Sequence, residues 1–558
     1  MIKILKENHN TILIFIIPLI LILIGFTVYR DYGISSDEEI TRNNSLVSIK
    51  YIFDVLFPQY PNNFELLTNV PNLRDYNHSD PYRFPGLSSS AYGVFFDVLV
   101  VAFTEILLEV KNFSDVFYYR HLTNHYLFVI SVICFYFLCI SVFKNKLYSF
   151  FGAAILYTSP RIFAESFYNN KDVAFLSFFI FLIFFSIKFL KKPNYYNAFL
   201  LSIFAAMATS TRIIGIYVSI LVALFFIIEF LMKNKFDPKK ANTLVFFLFF
   251  NLIFLYLFWP FLWENPISNL IHATKYAANV PTGLNVFYLG DFYGAKYLPW
   301  HYLVVCFFAT TPILILILIA GGLVNLTLRF SRRLINIDKN DSYKDIWRGE
   351  KEKIFLFLLL VVFVPILSIF LFNTIVYNSW RHIFFLYPPL ILVSIYFLDI
   401  IVIKFRFKKI LSYINIILLV AVLSNIYNLI TLHPFQGIYF NSIFEKNANK
   451  LFEIDYWGIS NKHSLEELAK KNIGKNKITV GVASFTNLWL SEKMLNKKLK
   501  NKLIISGQDF SSADFIFNNN YFGSNPNYDD RYLIPENYKK YSELRKGKIL
   551  ISEFYIKE

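Results

Sequence analysis

Apolar runs of about twenty residues, the length that carries an α-helix across a bilayer, recur along most of this chain, separated by short stretches rich in Lys and Arg. The first run, Thr11 to Tyr29, stops at Arg30. A long polar, aromatic and Pro-containing segment follows to Ser90, and then Ala91 to Leu108, which is apolar yet carries Asp97 and Glu105 with Glu109 just beyond. Further runs cover Asn124–Val142, Tyr148–Tyr157, Val173–Ile187, Asn197–Ala208, Thr243–Phe258, Tyr302–Leu328, Ile354–Phe372, Ile383–Ile403 and Ile410–Leu432. After His433 the pattern changes. Lys477–Ser484, Leu503–Ser506, Ala513–Asn518 and Lys548–Lys557 predict strands, and Ser464–Lys471 and Leu488–Lys500 predict helices between some of them.

The basic clusters orient these runs, because short cytoplasmic loops concentrate Lys and Arg. Lys144 to Lys146, Lys188 to Lys192, Lys233 to Lys240, Arg329 to Arg333 and Lys404 to Lys409 share the inner side only under two conditions. Ala91–Leu108 must lie in the outer interface as an amphipathic helix, and Asn197–Ala208 must open a hairpin that turns near Thr209-Ser210-Thr211-Arg212. The sum is about eleven spans, with the N-terminus inside. The predicted fold is therefore a polytopic α-helical membrane protein. Its membrane domain covers residues 1–432, including an outer loop 30–123 with an interfacial helix 91–108, and residues 433–558 form a small α/β domain outside the membrane.

Composition agrees: the chain is 56% hydrophobic and 19% aromatic, with 64 Phe and a mean hydropathy of +0.45. A net charge of +16 in a soluble chain would suggest nucleic acid, but here the cations sit in loops between spans, so no nucleic-acid partner is expected. Cys134, Cys139 and Cys306 all fall within apolar runs, which gives no disulfide framework. The first run lacks a small-residue cleavage site and reads as an uncleaved span.

The same parity gathers charge on the outer face: Asp37 and Glu38 after the first span; Arg161, Glu165, Lys171 and Asp172; Arg212; Trp300 and His301; and Arg381 with His382. Taken alone, Asp37 to Glu39 read as a solvated helix start, and each outer cation as a snorkelling anchor or ion pair. Cations on the translocated side nonetheless run against the usual bias. Several of them beside acids and aromatics point to an anionic, membrane-borne ligand. Neither His301 nor His382 shares a His-x-x-x-His type of spacing with another ligand, so no metal ligand set is expected at the outer face.

The acidic pair after span one, Pro160-Arg161 through Lys171-Asp172, Leu298-Pro299-Trp300-His301-Tyr302, Arg381-His382 ahead of Pro388-Pro389, His433-Pro434 with Tyr439-Phe440-Asn441, and Asp455-Tyr456-Trp457-Gly458 resemble glycosyltransferase family 39-like enzymes. These are the bacterial relatives of protein O-mannosyltransferases and aminoarabinose transferases, with the GT-C fold. The resemblance runs to about Gly458, and Asn170 stands where that family places proline.

It implies a polyprenyl-phosphate sugar donor and an acceptor hydroxyl on a lipid, glycan or protein at the outer face of a bacterial inner membrane. Asp37 is then the general base, with Glu38 the runner-up. Arg381, Arg161, Lys171 and Arg212 bind the donor phosphate, while Asp172, Glu165, Trp300, His301 and His382 contact substrate. Chemically, one carboxylate suffices to take the acceptor proton, and a phosphate leaving group needs cations rather than an acid. No cofactor is required on this reading, though Asp37 with Asp172 offers oxygen ligands to Mg²⁺ or Mn²⁺. The rival expectation is a transporter or flippase for an anionic glycolipid, which the absence of a visible repeat disfavours.

Overall fold

The computed structural model describes residues 16–58, 65–73, 93–143, 145–233, 237–278, 283–335, 347, 349–405 and 408–558, with backbone alone at 233, 332–335, 402–405 and 408–410. Lys3, Lys6, the start of the first run, Lys144, Lys235, Arg406 and much of the outer loop before Gly93 lie outside the described residues.

Among the described residues, eight helices are long and apolar enough to cross a membrane: Phe113–Phe143, Asp172–Lys191, Ile213–Met232, Pro238–Phe258, Ile313–Ser331, Gly349–Leu371, Arg381–Ile401 and Leu411–Leu432. Helix is the expected form, because hydrocarbon satisfies no backbone polar group and an open strand would leave its own unpaired. Asp172–Lys191 and Arg381–Ile401 are the central pair, each 78% buried over its most apolar window, whereas Leu411–Leu432 is 22% buried and peripheral. Both central helices begin with a charged residue of the candidate site. Backbones approach closely where side chains are small: Gly322 packs directly on the Val393 carbonyl.

Three further apolar helices are shorter: Ile16–Val28, Lys146–Thr158 and Tyr195–Thr211. Lys146–Thr158 ends early because Ser159-Pro160 starts a new helix, with Pro at its first position, where the missing N–H costs nothing. The turn expected at Thr209–Arg212 is present, with Arg212 extended between Tyr195–Thr211 and the next helix.

The segment expected as an interfacial helix is helical over Phe95–Val101 and continues as a wider π turn over Ala102–Leu107. Those thirteen residues reach about 20 Å, short of a hydrocarbon core. Its polar side faces protein: Asp97 pairs with Arg120 at 2.7 Å and Glu105 accepts from Arg42 Nε at 2.8 Å. Leu99, Phe103, Leu107 and Leu108 are exposed instead.

A hairpin unforeseen in the sequence, β1 (Asn285–Tyr288) and β2 (Asp291–Gly294), occupies the loop after Pro238–Phe258. The C-terminal part forms a five-stranded sheet of β3 (Ile478–Val482), β4 (Leu503–Gly507), β5 (Phe515–Asn518), β6 (Tyr538–Lys546) and β7 (Ile549–Lys557), in the order β4-β3-β5-β7-β6. β3 runs parallel to β4 and β5, while β7 is antiparallel to β5 and β6. β6 escaped the sequence reading because its residues, YKKYSELRK, are charged on an edge strand, where lysines protect against further pairing. The sheet has its own core around Leu465, Val480 and Phe515. Residues between His433 and that core fold back on the membrane part: Phe435, Phe440, Phe452 and Trp457 belong to the main apolar cluster.

Candidate functional site

Gly33 meets the Ile459 carbonyl so closely that a Cβ would collide, and this contact seats residues 455–459 on the loop after the first helix. Ser36 N–H donates to the Trp457 carbonyl at 3.2 Å and Ser35 Oγ to the Tyr168 carbonyl at 2.9 Å. Clamped from two sides, the loop delivers three acids to three environments.

Asp37 holds the N-cap position of the Glu38–Leu56 helix, but its side chain makes no capping bond. The carboxylate turns instead to Arg381, with Oδ2 3.1 Å from Nη1, and stays 36% exposed. Glu38 is 1% exposed: Oε2 accepts from Ser35 N–H at 2.7 Å and Oε1 lies 3.0 Å from His121 Nε2. Glu39 reaches Lys493 of the sheet domain at 3.6 Å. Asp37 is thus the one acid of the three that is both accessible and set against the buried cations.

The second element is the Pro160–Tyr168 helix and the turn that follows. Asn169 Nδ2 donates to Glu165 Oε2 at 2.7 Å and Asp172 Oδ2 at 3.0 Å, while its Oδ1 accepts from Asp172 N–H at 3.0 Å. Asn170 donates to Thr41 Oγ1 at 2.9 Å and to Asp97. A proline there would make neither bond; the Asn170 side chain ties this turn to the Asp97–Arg120 pair beneath the Asp37 helix.

Asp172, 1% exposed, stands between two guanidinium groups. It pairs with Arg212, and its Oδ2 lies 3.5 Å from Arg381 Nη1. Arg381 therefore bridges Asp37 and Asp172. Around it, the rings of Tyr377, Trp457 and Tyr456 lie at 4.7, 4.8 and 5.4 Å, a cage that stabilises a cation withdrawn from water. Asn378 and Ser379, at φ 55° and 60°, turn the chain sharply just before Arg381; two successive non-glycine residues in the left-handed region are costly and mark a constrained site. Ser379 N–H donates to Tyr302 at 2.8 Å, which fixes that turn.

Lys171 belongs to the same group. Burial, then the nearby Arg212, push its ammonium well below the usual lysine range; Asp37 opposes them, and Arg381 adds to the depression. An arriving anion would favour the charged form. His382 packs edge-on against Tyr377 at 5.0 Å.

Arg161 is buried but sits apart, with its guanidinium 5.9 Å from the Phe440 ring, lining a small polar cavity with Asn378, Cys306 and Glu453. Glu165 is buried beside it; burial raises its carboxyl, and the Arg161 charge counters most strongly. Trp300 is 74% exposed, and His301 Nδ1 lies 2.6 Å from Tyr288 OH on the β1–β2 hairpin. Among the described residues, neither makes an ion pair or hydrogen bond to Asp37, Asp172 or Arg381.

Arg381 stands between Asp37 and Asp172, so a divalent cation shared by them would have to displace the guanidinium; the donor set does not fit a metal. Among the described residues, no group of three or more His, Cys, Asp or Glu converges elsewhere. Sequence reasoning singled out the charges but missed the aromatic cage and His121. Tyr456 and Trp457 stood in a quoted motif, yet only their return to Gly33 gives them a role. No protein-family model matches the chain, and no curated protein matches it.

Proposed function

We propose that the protein is an inverting, polyprenyl-phosphate-dependent glycosyltransferase of the GT-C kind, acting at the outer surface of a bacterial inner membrane. The observation that supports this reading is the juxtaposition of one accessible carboxylate, Asp37, with the caged Arg381 and the neighbouring cations Lys171 and Arg212. In the reaction, the acceptor oxygen attacks the anomeric carbon as the bond to the phosphate oxygen breaks. The departing electron pair stays on the phosphate, and the acceptor proton passes to Asp37. Arg381 pairs with the donor phosphate in exchange for Asp37, which neutralises the leaving group and frees the carboxylate to act as base. On this reading the three shorter apolar helices cross the membrane along with the eight long ones, which would make eleven spans with the N-terminus inside and the sheet domain outside.

The test uses the purified protein in liposomes carrying radiolabelled polyprenyl-phosphate sugars extracted from a bacterial membrane. Discharge of label from the lipid, abolished in Asp37→Asn, is the expected result. Movement of intact lipid-linked sugar between leaflets without discharge would mark a transporter instead.

A further inference from the structure

A cavity lies at the far end of the Asp172–Lys191 helix, and nothing in the proposed reaction uses it. Its volume is about 460 Å³, within the range of small-molecule sites. It opens where Asp172–Lys191 ends and Gly349–Leu371 begins, lined by Lys191, Lys240, Lys353, Glu229 and Trp347 among others. Asp172–Lys191 has 20 residues, about 30 Å of helix, so the cavity is one bilayer thickness from Asp172. By the charge rule, this is the cytoplasmic surface.

We propose that this cavity seats the phosphate of an anionic phospholipid from the cytoplasmic leaflet. Among the described residues that line it, three ammonium groups meet two carboxylates, Glu229 and Glu350, an excess of one positive charge. Lys353 is committed: its Nζ lies 2.6 Å from Glu229 Oε2 and donates to the Leu190 carbonyl at 3.1 Å. Glu229 is thereby neutralised. Lys240, 3.5 Å from the same carboxylate and 37% exposed, is a second cation on an acid already satisfied. Lys191 donates to the Ser141 carbonyl at 2.6 Å, holding its ammonium at the rim.

The remaining wall is apolar, with Phe226, Phe230 and Met232. Trp347 stacks on Phe225, with centroids 5.3 Å apart and planes 7° apart. Lysines beside an indole at a helix end are the signature of the headgroup layer, and basic pockets between membrane helices on this side suit anionic headgroups. A soluble organic phosphate would satisfy the same cations but leave the apolar wall uncovered.

The purified full chain, passed through nanodiscs of phosphatidylglycerol or phosphatidylcholine and then into mild detergent, is examined by native mass spectrometry and thermal melting. Parent protein should retain one phosphatidylglycerol and melt higher with it than with phosphatidylcholine. The Lys191→Gln/Lys240→Gln variant should retain at least about ten-fold less, while Lys470→Gln/Lys471→Gln, with the same loss of charge on the sheet domain, should match the parent. Equal retention by the cavity variant and the parent overturns the proposal, as does equal retention of both lipids by the parent. Stabilisation by free glycerol phosphate as large as that by the lipid would show a soluble-anion site and overturn the lipid assignment.

Discussion

Arg381 Nη1 lies 3.1 Å from Asp37 Oδ2 across 344 residues of sequence, and Asp172 shares the same guanidinium. While that contact stands, the Asp37 oxygen is engaged by the guanidinium rather than turned to an acceptor hydroxyl. Under the proposed reaction donor binding breaks the contact, so recognition of the phosphate and release of the base are one event.

Asp37→Asn removes the charge and keeps the shape. Because Asp37 is partly exposed and Arg381 retains Asp172, the protein should fold and hold donor while sugar discharge falls by about 10²- to 10⁴-fold. Glu38→Gln should behave differently, since Glu38 is buried against Ser35 and His121. It should cost about 1 to 3 kcal/mol of stability, seen as a lower melting temperature before any loss of turnover.

Arg381→Ala leaves Asp37 and Asp172 facing each other without their common partner. Removing one side of such a buried pair costs about 3 to 5 kcal/mol, so the variant should melt earlier and lose donor affinity together. Arg381→Lys keeps a cation for the aromatic cage but loses the planar fork. It should recover most of the stability and only part of the affinity, a split readable by thermal melting and donor titration on the same sample.

Asn170→Pro tests the tie between this turn and the Asp97–Arg120 pair. The side chain it removes donates to Thr41 and Asp97, and a hydrogen bond to a charged group contributes about 1.5 to 3 kcal/mol. The substitution should therefore destabilise by that order, measured by unfolding of the purified protein. A neutral or stabilising effect would show that the Asp97–Arg120 pair needs no such tie.

Glu453 supplies a pH dependence. Burial pushes its carboxyl up to about 8, against a hydrogen bond from the Phe287 N–H that lowers it. Between the ordinary carboxylate range and about 8 the folded protein binds more protons than the unfolded chain, so stability is highest at the acid end and falls as pH rises through that window. The slope approaches about 1.4 kcal/mol per pH unit. Melting temperatures from pH 5 to 9 should decline in the parent and flatten in Glu453→Gln.

The long apolar runs and the turn at Arg212 were legible, because hydrophobic length and helix-ending residues act locally. Helix lengths were less so: the run read as Tyr148–Tyr157 is a thirteen-residue helix, Lys146–Thr158, and Asn496 caps a new turn inside Leu488–Lys500. Asp37, Asp172, Arg212 and Arg381 could be assigned to one face from charge parity, and their side chains meet. What periodicity could not give is the cage. Tyr377 lies ahead of one helix while Tyr456 and Trp457 lie beyond the last, and only long-range closure brings them onto Arg381. Trp300 and His301 looked equally suited to the site, yet the hairpin that His301 packs on carries no pattern strong enough to foresee.

The contact of Gly33 and Ser36 with Trp457 and Ile459 sets an order of events in biosynthesis. Asp37 leaves the ribosome early, and its carboxylate waits while the later spans are inserted. Two of the three rings that steady Arg381, those of Tyr456 and Trp457, arrive only when the chain beyond the last long apolar helix has been made. A nascent chain halted before Tyr456 has its acids, its arginine and only the Tyr377 wall of the cage, so the site is completed only after the last long apolar helix has been made.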